Sequence, residues 1–206
     1  MYICIITSEI INSDYRKNRL KDELIELTSI LLKIEENKVE YIEIYHQYIK
    51  PKKSMNIAGE CWEEKGIRLE MIMNNGIHYD NFIKEYEEWI CKYKKNDDIL
   101  IIVTLDKRII NILRNNCKED NNESMMRNLE RHYTLSNIYN EITKRKKVYS
   151  IVDILFELDL SFYIRHSGCI DDCRTIGQII EKLYIEGYGS IIEKIINKTY
   201  ILFLQL

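Results

Sequence analysis

Proline and alanine are almost missing from this chain: Pro51 and Ala58 are the single examples of each among 206 residues, and there are only seven glycines. With so few breakers, no proline- or glycine-rich linker divides the sequence, and one domain spanning 1–206 is expected. Long apolar runs are absent as well. None approaches the roughly 20 residues that cross a bilayer, and the start lacks a basic segment followed by an apolar stretch and a small-residue cleavage site. An intracellular, cytoplasmic protein with no membrane partner is the expectation. The formal net charge of −3 excludes a protein that coats nucleic acid indiscriminately but leaves room for a local basic groove. No CxxC pair occurs among the six cysteines, so Cys4, Cys61, Cys91, Cys117, Cys169 and Cys173 are expected to be reduced thiols without disulfide partners. Cys169 and Cys173 flank two aspartates, but the spacing does not supply the remaining ligands of a zinc site.

What is present is a folded composition, with 46% hydrophobic and 31% charged residues, too apolar for disorder. Usage is skewed toward Ile, Asn, Lys and Tyr, the amino-acid shadow of an AT-rich genome, which weakens propensity arguments because Ile and Asn stand where other residues would serve.

The pattern begins with an unbroken apolar run, Tyr2 to Ile6, which predicts a buried strand ending at Thr7, Ser8 and Glu9. Residues 14–21 are charged and predict a loop. Leu24 to Ile34 and Val39 to Ile49 are β-branched and aromatic runs joined by a polar turn, a hairpin closed by Lys50-Pro51-Lys52-Lys53. From Asp80 to Lys94, Phe82, Ile83, Tyr86, Trp89, Ile90 and Tyr93 keep the spacing of a helix with one buried face. Ile99 to Val103 predicts a second buried strand running into Asp106, followed by a helix from Ile109 and a loop over Asn115 to Ser124. Further helices are expected over Leu135 to Glu141, Ile151 to Leu158 and Thr175 to Tyr184, and a strand or docked segment over Tyr200 to Leu204. Strands that lead and then alternate with helices indicate an α/β or α+β architecture with a mixed sheet.

Chemistry-bearing residues gather at the ends of these elements. Glu9 and Asp106 each close a buried strand, and His166-Ser167-Gly168-Cys169-Ile170-Asp171-Asp172-Cys173-Arg174 precedes the last long helix. By themselves Asp171 or Asp172 could simply cap that helix.

Taken in order, these residues resemble the DEDDh 3′-to-5′ exonucleases, and more narrowly the Eri and histone-mRNA 3′-exonuclease family. YICII is similar to the family's first strand, which continues Asp-Phe-Glu. Glu23-Leu24-Ile25-Glu26 resembles its Glu-Ile-Ile-Glu, and His46-Gln47-Tyr48-Ile49-Lys50-Pro51 its Gln-Gln-Tyr-Val-Arg-Pro. Cys61, Gly66 and Ile67 fall where the family has Cys and then Leu-Thr-Gly-Ile, Leu105-Asp106 resembles Trp-Asp, and His-Ser-Gly with Asp-Asp-Cys-Arg resembles the last motif. The agreement runs from Tyr2 to about Gly187. The resemblance implies an RNase H-like exonuclease fold, a mixed central sheet of about five strands flanked by helices.

It also implies a site in which two divalent metals clamp a phosphate and a histidine acts as base. Carried over, Glu9, Asp106 and Asp172 would be the metal ligands and His166 the base. The aspartate that bridges both metals falls on Thr7, which is neutral. One extra residue, Cys169 or Ile170, separates His166 from Asp171-Asp172 compared with His-Ser-Gly-x-Asp-Asp, so Ser167 stands at the histidine's spacing from Asp172. Lys65, before Gly66, replaces the threonine of Leu-Thr-Gly-Ile. These departures imply a degenerate site with no cofactor, or with weakly bound Mg²⁺ or Mn²⁺. The implied function is that of a catalytically impaired protein holding structured RNA. Ribosomal RNA or the ribosome is the first target, where the bound protein would occlude a site and keep the particle inactive. RNA contacts are expected from Lys65, Gly66 and the run Lys144, Arg145, Lys146 and Lys147, with further basic clusters at 16–21, 50–53 and 92–95. An active metal-dependent exoribonuclease and a protein-binding scaffold without RNA are the alternatives.

Overall fold

In the computed structural model, which describes residues 1–11, 22–36, 38–52, 67–93, 98–161 and 168–195, the first strand lies in the interior of the sheet. Strand β1 (Tyr2–Ile11) pairs antiparallel with β2 (Glu23–Glu35) and parallel with β5 (Leu100–Thr104). Strand β3 (Lys38–Lys50) is antiparallel to β2, and β4 (Ile77–His78) and β6 (His132–Thr134) complete a six-stranded mixed sheet in the order β4-β3-β2-β1-β5-β6. The sheet therefore has six strands where about five were expected. The two outermost span only two and three residues, too few to show a period of two in the sequence.

Strand β1 also runs further than its apolar stretch suggests. Pairing with β2 continues through Thr7↔Thr28 and Glu9↔Glu26 to a bulge after Glu9, so Thr7, Ser8 and Glu9 are strand residues rather than the strand's end. Backbone pairing is indifferent to side-chain polarity, which is why the polar triplet extends the ladder.

Successive side chains of β1 feed two cores on opposite faces of the sheet. Ile3 and Ile5 pack with helices α5 (Leu135–Thr143), α6 (Ile151–Glu157) and α7 (Cys169–Ile185), the last through Ile176, Ile179, Ile180 and Leu183. Cys4 and Ile6 pack with α2 (Tyr79–Tyr93), α3 (Lys107–Glu119) and α4 (Glu123–Asn128). A short α1 (Leu69–Asn75) sits beside β3, and residues 189–195 are helical. Ile192 packs with the α7 core. The Tyr41 side chain of β3 lies over Gly177 of α7, where a β-carbon would stand 2.8 Å from its hydroxyl.

Two boundaries differ from expectation. The polar stretch from Asn115 is helical to Glu119, because Ile109, Ile110, Leu113 and Cys117 keep one face buried; the break is confined to 120–122, where the Asn122 side chain accepts from the Met125 N–H and caps α4. Helix α7 starts at Cys169 rather than Thr175. Asp171 and Asp172 thus lie in its first turn, and the N-cap is Gly168, which offers no side-chain bond, so neither aspartate is the cap. Among the described residues no helix is long and apolar enough to cross a membrane. The five described cysteines are free.

On β6, His132 shares a 2.8 Å hydrogen bond with the Thr104 hydroxyl. Burial, with Arg114 and Lys107 nearby, pushes its pKa down to about 4. An unfolded histidine takes up its proton near pH 6.5. The unfolded chain therefore binds more protons between those values, and this site's contribution to stability is present above about pH 6.5 and lost as pH falls toward 4. Urea unfolding at pH 7 and pH 4.5 should show that slope, and His132→Gln should flatten it.

Candidate functional site

Cross-strand register places two rows of side chains on the α7 face of the sheet. Thr7, Thr28 and His46 form one row, and Glu9, Glu26 and Tyr48 form the next. Glu26 is only 5% exposed, and a buried carboxylate needs a partner. It finds one in His46, whose Nε2 lies 2.8 Å from its Oε1. The His46 ring in turn meets Tyr48 edge-on, with centroids 4.9 Å apart.

The first turn of α7 closes over these rows. Thr7, 4% exposed, donates its hydroxyl to the Cys169 carbonyl at 2.6 Å, and the same hydroxyl lies 3.2 Å from Cys173 Sγ. The Cys173 thiol points at the Thr28 carbonyl, 3.4 Å away, and burial pushes its pKa up to about 12. Cys169 is 1% exposed, and its thiol is driven up chiefly by burial and then by the negative charge of Glu26, Glu9 and Asp172 around it. Neither thiol is a nucleophile in this setting. The acids whose charge the Cys169 thiol feels are thus Glu9 and Asp172, singled out in the sequence, and Glu26, which is new.

Asp106 reaches the same end of the sheet by a different route. Thr104 pairs with Ile6, and Asp106 stands two residues further along the parallel strand. Its carboxylate accepts from the Arg108 N–H at 2.8 Å, capping α3, and forms an ion pair with the Arg108 side chain. Asp171 in α7 pairs with Arg174. His166, Ser167, Lys65 and Gly66 lie outside the described residues, as does the basic cluster at 16–21.

The run from 144 to 147 follows α5 on the surface. Lys144 stands 3.7 Å from Glu141, Arg145 3.1 Å from Glu157 and Lys147 3.6 Å from Asp153, while the Lys147 ammonium also lies over the Tyr149 ring. Three of its four cations therefore lean on acids of the same chain. Other cations stand at the acid-bearing end of the sheet: Lys50 and Lys52 where β3 finishes, Lys107 and Arg108 where α3 begins, and Arg174 in α7.

The family resemblance implies two divalent cations at this end sharing a carboxylate at position 7. Position 7 supplies a hydroxyl already committed as a donor to Cys169. Among the described residues, no three histidine, cysteine or carboxylate side chains are grouped closely enough to hold a metal ion. The donors present do not fit a two-metal centre bridged at position 7.

The family model described as "Exonuclease", of the RNase T type, matches residues 15–180. That span begins after β1, so Thr7 and Glu9 are placed by strand register and not by the match. Among solved structures, a 3′-exonuclease recognising the histone mRNA stem-loop is similar with a TM-score of 0.72 and 18% identity, covering 90% of this chain and 64% of that one. The nuclease domain of 3′hExo, a DEDDh family member bound to rAMP, gives 0.70 and 17%, covering 90% and 92%. Exonuclease I of E. coli in complex with a dT13 oligonucleotide gives 0.63 and 9%, covering 88% and 40%. The chain thus spans slightly less than two thirds of the first of these, and at such identities the likeness is one of fold. A search of the curated proteins found no match.

Proposed function

The chain belongs to the exonuclease family, and from that premise we propose that it is a catalytically impaired member that holds structured RNA instead of trimming it. The observation that carries this reading is the Thr7 hydroxyl donated to the Cys169 carbonyl. A carboxylate at that place could bind cations; a neutral hydroxyl spent on a helix cannot bridge two of them. Without the bridge, the fold keeps its surface and loses the machinery that would activate water and stabilise the leaving oxygen.

RNA is the favoured partner because the similar structures include a 3′-exonuclease that recognises the histone mRNA stem-loop and a nuclease domain bound to rAMP. The acid-bearing end here is also rimmed by Lys50, Lys52, Lys107, Arg108 and Arg174. Two of them, Lys52 and Arg108, pair with Asp80 and Asp106 at the surface, and such pairs exchange readily for phosphate because they contribute little. The run 144–147 adds a second basic surface of the same kind. Ribosomal RNA is the first target to test, following the family resemblance, with occlusion of a ribosomal site as the consequence of binding.

Sedimentation with ribosomes and filter binding to an RNA hairpin, each across a salt series, test the partner. Retention at physiological salt is expected, with affinity falling steeply as salt rises if several phosphates are contacted. Release from both RNA and ribosomes already at low salt would remove RNA as the partner and leave a protein-binding scaffold.

A further inference from the structure

We infer that Thr7 and Cys169 are two halves of one contact, so that the neutral residue in β1 and the extra residue before Asp171-Asp172 are a single coupled change. The inference rests on the exonuclease-family reading of these positions. Relative to His-Ser-Gly-x-Asp-Asp the chain has one residue too many. That surplus falls in the first turn of α7, where Cys169 is the opening residue and Gly168 provides no side-chain cap. The Cys169 carbonyl takes the Thr7 hydroxyl at 2.6 Å, and the Cys169 side chain is buried, 1% exposed. Cys173, one turn later, touches the same hydroxyl at 3.2 Å and reaches the Thr28 carbonyl, so the turn is fastened to β1 and β2 together.

This geometry demands a donor at position 7. An ionised aspartate offers only acceptors. It would face the Cys169 carbonyl across a hydrogen-bond distance in a buried place, with no proton to share. A protein with Thr7→Asp alone must therefore either hold that carboxyl protonated or lift the first turn of α7 away from the sheet, and loses stability either way. Conversely, deleting Cys169 removes the carbonyl that Thr7 serves and leaves its hydroxyl only the weaker contact with Cys173. The two positions constrain each other, and restoring the carboxylate without shortening the turn does not restore a metal site.

Four proteins decide this: the natural chain, Thr7→Asp, deletion of Cys169, and the two changes combined. Their thermal unfolding and their binding of Mn²⁺ by calorimetry are measured without RNA, so the outcome is independent of whether the protein binds RNA. Thr7→Asp should lower the melting temperature by about 5–10 °C, as a loss of a few kcal/mol does in a chain of this length, and should show no Mn²⁺ binding. The combined variant should recover stability relative to Thr7→Asp and bind Mn²⁺ at least about tenfold more tightly than either single change, a difference of ~1.4 kcal/mol. Thr7→Asp with natural stability, or binding Mn²⁺ as well as the combined variant, overturns the coupling; so does a folded combined variant that neither regains stability nor gains Mn²⁺ affinity. Should that variant not fold, Thr7→Ser and Thr7→Val decide. Serine keeps the donor and should hold the melting temperature well above that of valine, whereas equal values for the two overturn the inference.

Discussion

Alanine in place of His46 should destabilise the protein by about 2–3 kcal/mol, a large effect for a residue that is itself partly exposed. The loss does not come mainly from the histidine's own packing. It comes from Glu26, 5% exposed, whose oxygen lies 2.8 Å from His46 Nε2 and whose cross-strand neighbour is Glu9. Removing His46 leaves a buried carboxylate next to a second acid with its partner gone, and breaking a buried pair costs more than the pair contributes. The same logic predicts rescue: Glu26→Gln combined with His46→Ala should lose less than His46→Ala alone, since no buried charge is left unmatched. Urea unfolding of the two variants and the natural protein gives the comparison directly. Equal losses in the single and combined variants would show that His46 acts by packing against Tyr48 rather than by satisfying Glu26.

The second large effect is on catalysis. With Mg²⁺ or Mn²⁺ supplied, single-turnover removal of a 3′ nucleotide should run at least about a thousandfold slower than in an exonuclease that keeps its bridging aspartate. Two unit charges about 4 Å apart interact by roughly 4 kcal/mol at an effective dielectric of 20. Losing that from the transition state is about three decades of rate. A carboxylate shared by two dications contributes more than one such pair, so the figure is a lower bound.

The scaffold was readable in the sequence wherever burial imposes a period. The apolar run from Tyr2, the hairpin of β2 and β3, and the buried face of α2 all follow from side-chain spacing, and the order of the motifs carried the family. Strands β4 and β6 were not readable, since two and three residues carry no period. The loop expected from Asn115 failed because asparagine content outweighed the spaced apolar residues of α3. Motif order names Thr7, Glu9 and Asp172 as candidates, and the register sets Thr7 and Glu9 on the face that α7 covers. The Glu26–His46 pair could not be read from motif order, although both residues were in view as marks of the family resemblance. An acid inside the apolar stretch Leu24-Ile25-Glu26-Leu27 signals a buried partner, but identifying it requires the register that sets Thr28 opposite His46 and Glu26 one pair along. The Thr7 contact with Cys169 was equally hidden, because it joins a side chain to a backbone carbonyl 162 residues away.

A catalytically impaired RNA-holding protein retains an RNA end without shortening it. An RNA hairpin with a 3′ overhang and a 5′ label, incubated with excess protein and Mn²⁺, reports both properties in one reaction: the fraction retained on a filter and the length of the retained strand. The expected result is saturable retention of full-length RNA over many hours. Progressive loss of 3′ nucleotides, dependent on the metal and abolished by Glu9→Gln, would contradict it and identify a working exonuclease.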